Sequence, residues 1–163
     1  MPDLSMTYGE LVPGQLKALL SNHKQTTFID LGSGCGHLCF EACTLTQFSH
    51  IIGLELHPER LAQALSLKKT NKDLMARCEF FSHDLFYPFE AIPSPAVAYL
   101  CATCFTSTLL QSLGWWLTAH PLIESIITLK PLPLDADCWC LSKTGLLLCT
   151  WDSSVFYQYD KTP

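Results

Sequence analysis

The chain has 163 residues, enough for one domain with one substantial core. Apolar residues make up 48% of it and charged ones only 15%, against a usual charged share of about 25%, which excludes a disordered tail, a coiled coil or a collagen-like chain. Ten Lys plus Arg stand against fifteen Asp plus Glu, a net charge of −5, and that balance argues against a domain that holds nucleic acid by neutralising phosphates.

The first stretch, Met1 to Gly14, is polar, carries Asp3 and Glu10, and lacks the basic and apolar regions of a secretory signal. Thr27 to Leu31 reads as a buried strand that stops at a glycine cluster, and His37 to Leu45 as a helix. Ile51 to Leu56 is a second strand. A helix opened by Pro58 follows to about Asn71, proline being suited to a first turn because its missing N–H has no partner there. Cys78 to Ser82 and Ala96 to Cys101 are the third and fourth strands, with the proline-broken stretch between them too short for a helix. Thr106 to Ala119 reads as a helix and Ser125 to Leu129 as a fifth strand. Leu146 to Thr150 and Val155 to Tyr159 then form a strand pair across Asp152-Ser153-Ser154. Alternating strands and helices imply a parallel sheet covered on both faces, and the closing pair implies an antiparallel edge. No apolar run reaches the roughly 20 residues of a membrane span.

The strongest chemical signal is Asp30-Leu31-Gly32-Ser33-Gly34-Cys35-Gly36-His37, directly after one strand and directly before a helix. Glycines there let the backbone turn tightly and let a ligand touch the main chain, and the helix start offers unpaired N–H groups. The spacing differs from the dinucleotide pattern, so no pyrophosphate is required. Alone, the cluster is equally consistent with a βα turn that binds nothing. Glu55, 23 residues after Gly32 at the tip of the second strand, tips the balance, because a carboxylate in that place can take both hydroxyls of a ribose. Asp84 lies at the end of the third strand and can accept from an exocyclic amine; taken alone it reads as a loop or capping group.

Asp30-Leu31-Gly32-Ser33-Gly34-Cys35-Gly36, then Gly53-Leu54-Glu55, then Asp84, resembles the S-adenosylmethionine site of class I methyltransferases. Tyr8-Gly9-Glu10-Leu11-Val12-Pro13, Lys130-Pro131 and Trp151 with Val155-Phe156-Tyr157 resemble segments of the non-SET, disruptor-of-telomeric-silencing class of protein-lysine methyltransferases. The compact length, Asp84-Leu85-Phe86 and Tyr159-Asp160 are similar to the related ATP-synthase c-subunit lysine methyltransferases. The resemblance spans roughly residues 7 to 160.

It implies a single α/β domain with the Rossmann-like class I methyltransferase fold. The mostly parallel sheet has seven strands, with an antiparallel C-terminal pair and helices on both faces. Residues 1–26 would be a lid and helix, and residues 27–163 the core. The implied cofactor is S-adenosyl-L-methionine, lined by Asp30, Gly32, Gly34, His37 and Cys101. Glu55 would hold its ribose, Asp84 and Leu85 would contact adenine, and Tyr8, Gly9 and Glu10 would fold over it. Tyr157, with Tyr8, would face the channel for an acceptor lysine. The implied partner is a protein with that lysine, not nucleic acid. A lysine amine must be neutral to attack the sulfonium methyl, and an aromatic channel favours the neutral form by desolvation. One departure is clear. Where the silencing class has Asn-Asn-Phe after its fourth strand, this chain has Tyr99-Leu100-Cys101-Ala102-Thr103-Cys104-Phe105, which argues against a histone substrate.

Nine cysteines, an odd number, cannot all pair within the chain, and free thiols in a cytoplasmic setting are the simplest expectation. Cys101 with Cys104, and Cys138 with Cys140, have the look of zinc ligands but lack a histidine pair, so structural thiols and no metal site are expected. Cys35, Cys39 and Cys43 repeat every four residues, which is one helix face and indicates packing. Lys68, Lys69, Lys72 and Arg77 read as the solvated face of the Pro58 helix. A small-molecule methyltransferase and a cofactor-binding protein without catalysis remain the competing functions.

Overall fold

A computed structural model describes residues 10–45 and 47–163. Its seven strands are β1 Thr27–Leu31, β2 His50–Glu55, β3 Cys78–Ser82, β4 Ala96–Leu100, β5 Ile123–Thr128, β6 Trp139–Leu148 and β7 Ser153–Lys161. They form one sheet in the order β3-β2-β1-β4-β5-β7-β6. The first five are mutually parallel. β7 runs antiparallel to both β5 and β6. The helices are α1 Gln15–Leu20, α2 His37–Cys43, α3 Pro58–Thr70 and α4 Ser107–Ala119.

β1 and β4 are buried at every position, as parallel strands covered on both faces must be. Their side chains alternate between two apolar layers. Phe28, Val97 and Tyr99 point to the layer of α1 and α2, with Leu16, Leu20, Leu38 and Ala42. Ile29, Leu31, Ala98 and Leu100 point to the layer of α4, with Leu113, Trp116 and Leu117. The strand order reverses between β1 and β4. Open α/β sheets bind ligands outside the carboxyl ends of their strands at such a point.

Two crossovers on the α4 side carry no helix. The stretch from 83 to 95 is held through its backbone, where the Leu85 carbonyl accepts from Trp116 Nε1 at 3.1 Å and the Phe86 carbonyl from Ser112 Oγ at 2.7 Å. The expected hairpin is present but longer than its sequence shows. β6 begins at Trp139, because Ser142, Lys143 and Thr144 occupy an exposed edge strand where no apolar alternation is required.

The expected basic face of α3 is only partly a solvated surface. Arg77 turns inward and donates to the carbonyls of Phe48, Cys43 and Leu45 at 2.6, 2.5 and 3.0 Å, satisfying groups left open after α2. Lys68 Nζ donates to the Cys78 carbonyl. Two of the four cations are therefore committed to backbone. Among the described residues no helix is long and apolar enough to cross a membrane.

Gly36 starts α2 with φ +87°, and a Cβ there would lie 2.7 Å from Phe80 Cζ and 3.1 Å from Ala64 Cβ. Gly14 has a similar φ of +91° with nothing within 4 Å. Gly14→Ala should therefore cost only the left-handed backbone penalty of about 1–2 kcal/mol. Gly36→Ala should cost clearly more, because the α2–α3–β3 contact must also open. Denaturant melts of the two variants check this, and equal losses would show that Phe80 yields freely.

Candidate functional site

The site forms at the carboxyl ends of β1, β2 and β4. After β1 the chain makes a turn with Gly32, Gly34 and Gly36 at φ of +91°, +54° and +87°. The turn is latched to β2 from both sides. The Gly32 and Ser33 N–H groups donate to the Leu54 carbonyl at 2.9 and 2.8 Å. Glu55, only 7% exposed, accepts from the Gly34 N–H through Oε2 and from the His57 N–H through Oε1, each at 2.8 Å. A carboxylate has about four acceptor directions, so both oxygens keep capacity for a ligand hydroxyl.

Asp30 points to the same layer as Tyr99, its register partner on β4. Its carboxyl faces a cavity of about 30 Å³ lined by Glu10, Leu11, Gly32, Ser33, Leu38, Tyr99 and Cys101 as well. That is room for about one water, so the cavity takes one polar group of a ligand and not a whole nucleoside. Burial, then the nearby charges of Glu55 and Glu10, push Asp30 up to about 8. Two polar atoms near these strand ends are buried and lack a partner, Ser33 Oγ in the cavity wall and His57 Nδ1 two residues after Glu55. Buried polar atoms ordinarily find partners, and such unmet capacity at a strand tip is what a polar ligand would satisfy.

The segment before α1 closes one side. Leu11 bridges Cys149, and the Val12 N–H donates to the Leu148 carbonyl at 2.9 Å. Glu10 exchanges bonds with Thr150, its carbonyl accepting at 2.8 Å and its N–H donating to Oγ1 at 3.1 Å. The Glu10 carboxylate reaches across to His37 Nδ1 at 2.7 and 2.8 Å.

The structure thus brings Glu10, Asp30, Gly32 and Cys101 to one cavity, joins His37 to Glu10 and joins Gly34 to Glu55. Asp84 and Leu85 follow β3 beyond the lining of that cavity. Asp84 Oδ1 accepts from the Phe86 N–H at 3.0 Å, and Leu85 is buried in the α4 layer. Tyr157 lies on β7 opposite Thr128 at the end of β5. Tyr8 and Gly9 lie outside the described residues. Leu11, Ser33, Leu38, Tyr99 and His57 were not singled out from sequence as ligand contacts. Only Ser33, between two turn glycines, carried a signal. Among the described residues no group of three His, Cys, Asp or Glu is placed to hold a metal ion.

A mostly parallel seven-stranded sheet with an antiparallel closing pair and a glycine turn at its switch point is the Rossmann-like architecture of class I methyltransferases. The methyltransferase domain of bacterial CtHen1 superposes with a TM-score of 0.68 at 14% identity, over 92% of this chain and 96% of that one. TrmK of M. capricolum, solved with S-adenosyl-homocysteine, gives 0.71 at 12% identity over 93% and 70%. The magnesium protoporphyrin IX methyltransferase of Synechocystis PCC 6803, solved with S-adenosylmethionine, gives 0.61 at 11% over 90% and 75%. Among curated proteins none matches the chain. The family model described as histone methylation protein DOT1 matches residues 3–89, more than half of the chain, and the chain belongs to that family. By fold and family it is a class I methyltransferase, a class whose cofactor is S-adenosylmethionine.

The raised Asp30 has a consequence for stability. Between its unfolded value of 3.8 and about 8 in the folded chain, the folded state holds the extra proton. The stabilisation is full below the lower value and is lost as pH rises through the upper one, by at most about 1.4 kcal/mol per pH unit. Asp30→Asn should flatten this dependence and melt above the parent protein on the alkaline side. Thermal melts across the range test it, and parallel pH curves for the two proteins would refute it.

Proposed function

We propose that this protein transfers a methyl group from S-adenosylmethionine to a lysine side chain of a protein. The observation that carries the cofactor half is the cavity at the switch point, with a buried carboxyl and the unpartnered Ser33 hydroxyl in its wall. When bound, the cofactor supplies an electrophilic methyl group on a sulfonium centre and a cationic amino-acid end. Asp30 would accept from that ammonium, Gly32 and Gly34 would present bare backbone, and Glu55 would take the ribose hydroxyls. Asp84 and Leu85 would meet the adenine, Cys101 would border the methionine end, and His37 would fix the Glu10 side chain. Tyr8 and Gly9 would complete a lid with Glu10, making residues 1–26 a lid and helix on a single 27–163 core. Three carboxylates around one crevice suit a cation.

The lysine half is supported by family membership, by the acidic net charge, and by the surface beside Tyr157. Val155 pairs with Leu146, and Tyr157 with Thr144, so these side chains share one face of the β6–β7 ribbon. Leu146, Leu148 and Val155 are exposed by 69%, 55% and 42%. Clustered exposed apolar side chains favour a macromolecular partner over a small metabolite. Tyr157 would form one wall of the acceptor channel, where desolvation favours the neutral amine. The nine free thiols support a reducing, cytoplasmic setting.

Calorimetry with S-adenosylmethionine should show binding that Glu55→Ala weakens by tenfold or more, since the turn loses its latch and the ribose its acceptor, about 1.4 kcal/mol or above. Tyr157→Ala should bind the cofactor normally yet lose most transfer of labelled methyl to lysate protein. No binding would sink the cofactor assignment, and label found only in small metabolites would overturn the protein substrate.

A further inference from the structure

The segment after β4 is where this chain departs from the class it resembles, and it is also where the backbone is strained. Ala102 has φ +58°, the only described non-glycine residue with positive φ, a conformation that costs on the order of 1–3 kcal/mol. It is 1% exposed, and its carbonyl accepts from the Phe105 N–H at 3.0 Å. This reversal keeps both Cys101 and Cys104 at the tip of β4 before α4 begins. Thr103 Oγ1 touches both, 3.4 Å from Cys101 Sγ and 3.9 Å from Cys104 Sγ. The two sulfurs are therefore no further apart than these distances laid end to end. Cys101 lines the Asp30 cavity. Cys104 is half-buried, and Thr103 is exposed, so solvent reaches the pair.

We propose that Cys101 and Cys104 form a modification site, a dithiol that hydroperoxides oxidise to a disulfide and that thereby gates the cavity. The gating half rests on the cofactor reading above. The Cys104 thiolate attacks one peroxide oxygen and the O–O bond breaks, giving a sulfenic acid and, with one proton, water or an alcohol. The Cys101 thiol then attacks the sulfenyl sulfur. The S–S bond forms, and hydroxide leaves as water with the thiol proton. Two electrons pass from the sulfurs to the peroxide. Burial pushes the Cys101 thiol up, which makes it the poorer first nucleophile and leaves it the attack on the sulfenyl sulfur, already electrophilic. A disulfide bond is about 2 Å long, so the two sulfurs must close up, and whatever part of that movement Cys101 makes shifts a wall of the cavity. In a cavity of about 30 Å³ such a shift of one wall atom is large.

Five of the other seven thiols lack this setting. Cys39, Cys43 and Cys78 sit together in the core, with no path to solvent for an oxidant. Cys138 and Cys140 lie at the start of β6, away from the cavity lining.

The test treats the full chain with hydrogen peroxide and maps its peptides by mass spectrometry. S-adenosylmethionine affinity is measured on reduced and oxidised protein. The expected result is a Cys101–Cys104 cross-link two hydrogens lighter, with affinity lowered about tenfold or more and restored by dithiothreitol. Cys104→Ser should bind like the reduced parent and keep its affinity through peroxide treatment. Recovery of both residues uncross-linked from folded, treated protein overturns the site. Unchanged affinity in the cross-linked form overturns the gate. Absence of binding by the reduced parent refutes the cofactor reading and the gate with it, while the mapping alone still decides the disulfide.

Discussion

The site depends on one buried carboxylate. Glu55 ends β2 and accepts from two backbone N–H groups, one in the glycine turn after β1 and one at the start of α3. Each of those donors belongs to a segment with poor internal satisfaction. The turn is too tight for its own ladder, and the first N–H groups of a helix have no carbonyl behind them. A charged acceptor is worth roughly twice a neutral one there. The same carboxylate thus fixes the turn at Gly34 and the entry to α3, and so the relative height of two strand tips. Residues that sequence separates by 21 positions become one surface.

Around that latch the charges conflict. Asp30 faces the crevice, and burial, reinforced by the nearby Glu55 and Glu10, favours its protonated form. A fold selected for stability alone would place an apolar side chain there, as Phe28 is placed two residues earlier in the same layer. A carboxyl kept neutral by burial and like charge is poised to ionise when a cation arrives, which turns a folding cost into a binding preference. The cation of the proposed cofactor is of that kind, and so is an acceptor lysine before it sheds its proton.

The parallel half of the fold was legible because its rules are local. β1 and β3 lie at their expected bounds, since each is a short run centred on apolar residues and closed off at its end by turn residues, and Pro58 marked the start of α3. The glycine turn and Glu55 were legible for the same reason, their spacing being a backbone requirement. Three features were hidden. β6 extends back to Trp139 through polar residues because edge strands need no apolar face. Arg77 looks like surface charge in sequence, yet long-range carbonyls draw it inward. Ala102 looks like an ordinary small residue, and only the path of the chain after β4 puts it at positive φ. Each depends on partners distant in sequence, which no window of neighbouring residues contains.

The short segment Glu10–Val12 shows how little chain can unite the two halves of such a sheet. The parallel strands β1 to β3 and the hairpin β6–β7 lie on opposite sides of the switch point and share no ladder. Leu11 pairs with Cys149 at the end of the hairpin, and Glu10 then spans to His37 at the start of α2. A wall of the cavity is therefore made by a residue whose backbone is fixed by one half and whose side chain is fixed by the other. Exposed ion pairs are individually weak, so this wall holds chiefly through its backbone bonds to Thr150 and Leu148. The contact to His37 is the part that can release. Breaking it would leave the pairing of Leu11 with Cys149 and of Val12 with Leu148 intact, so the side-chain part of this wall can change without cost to its backbone part.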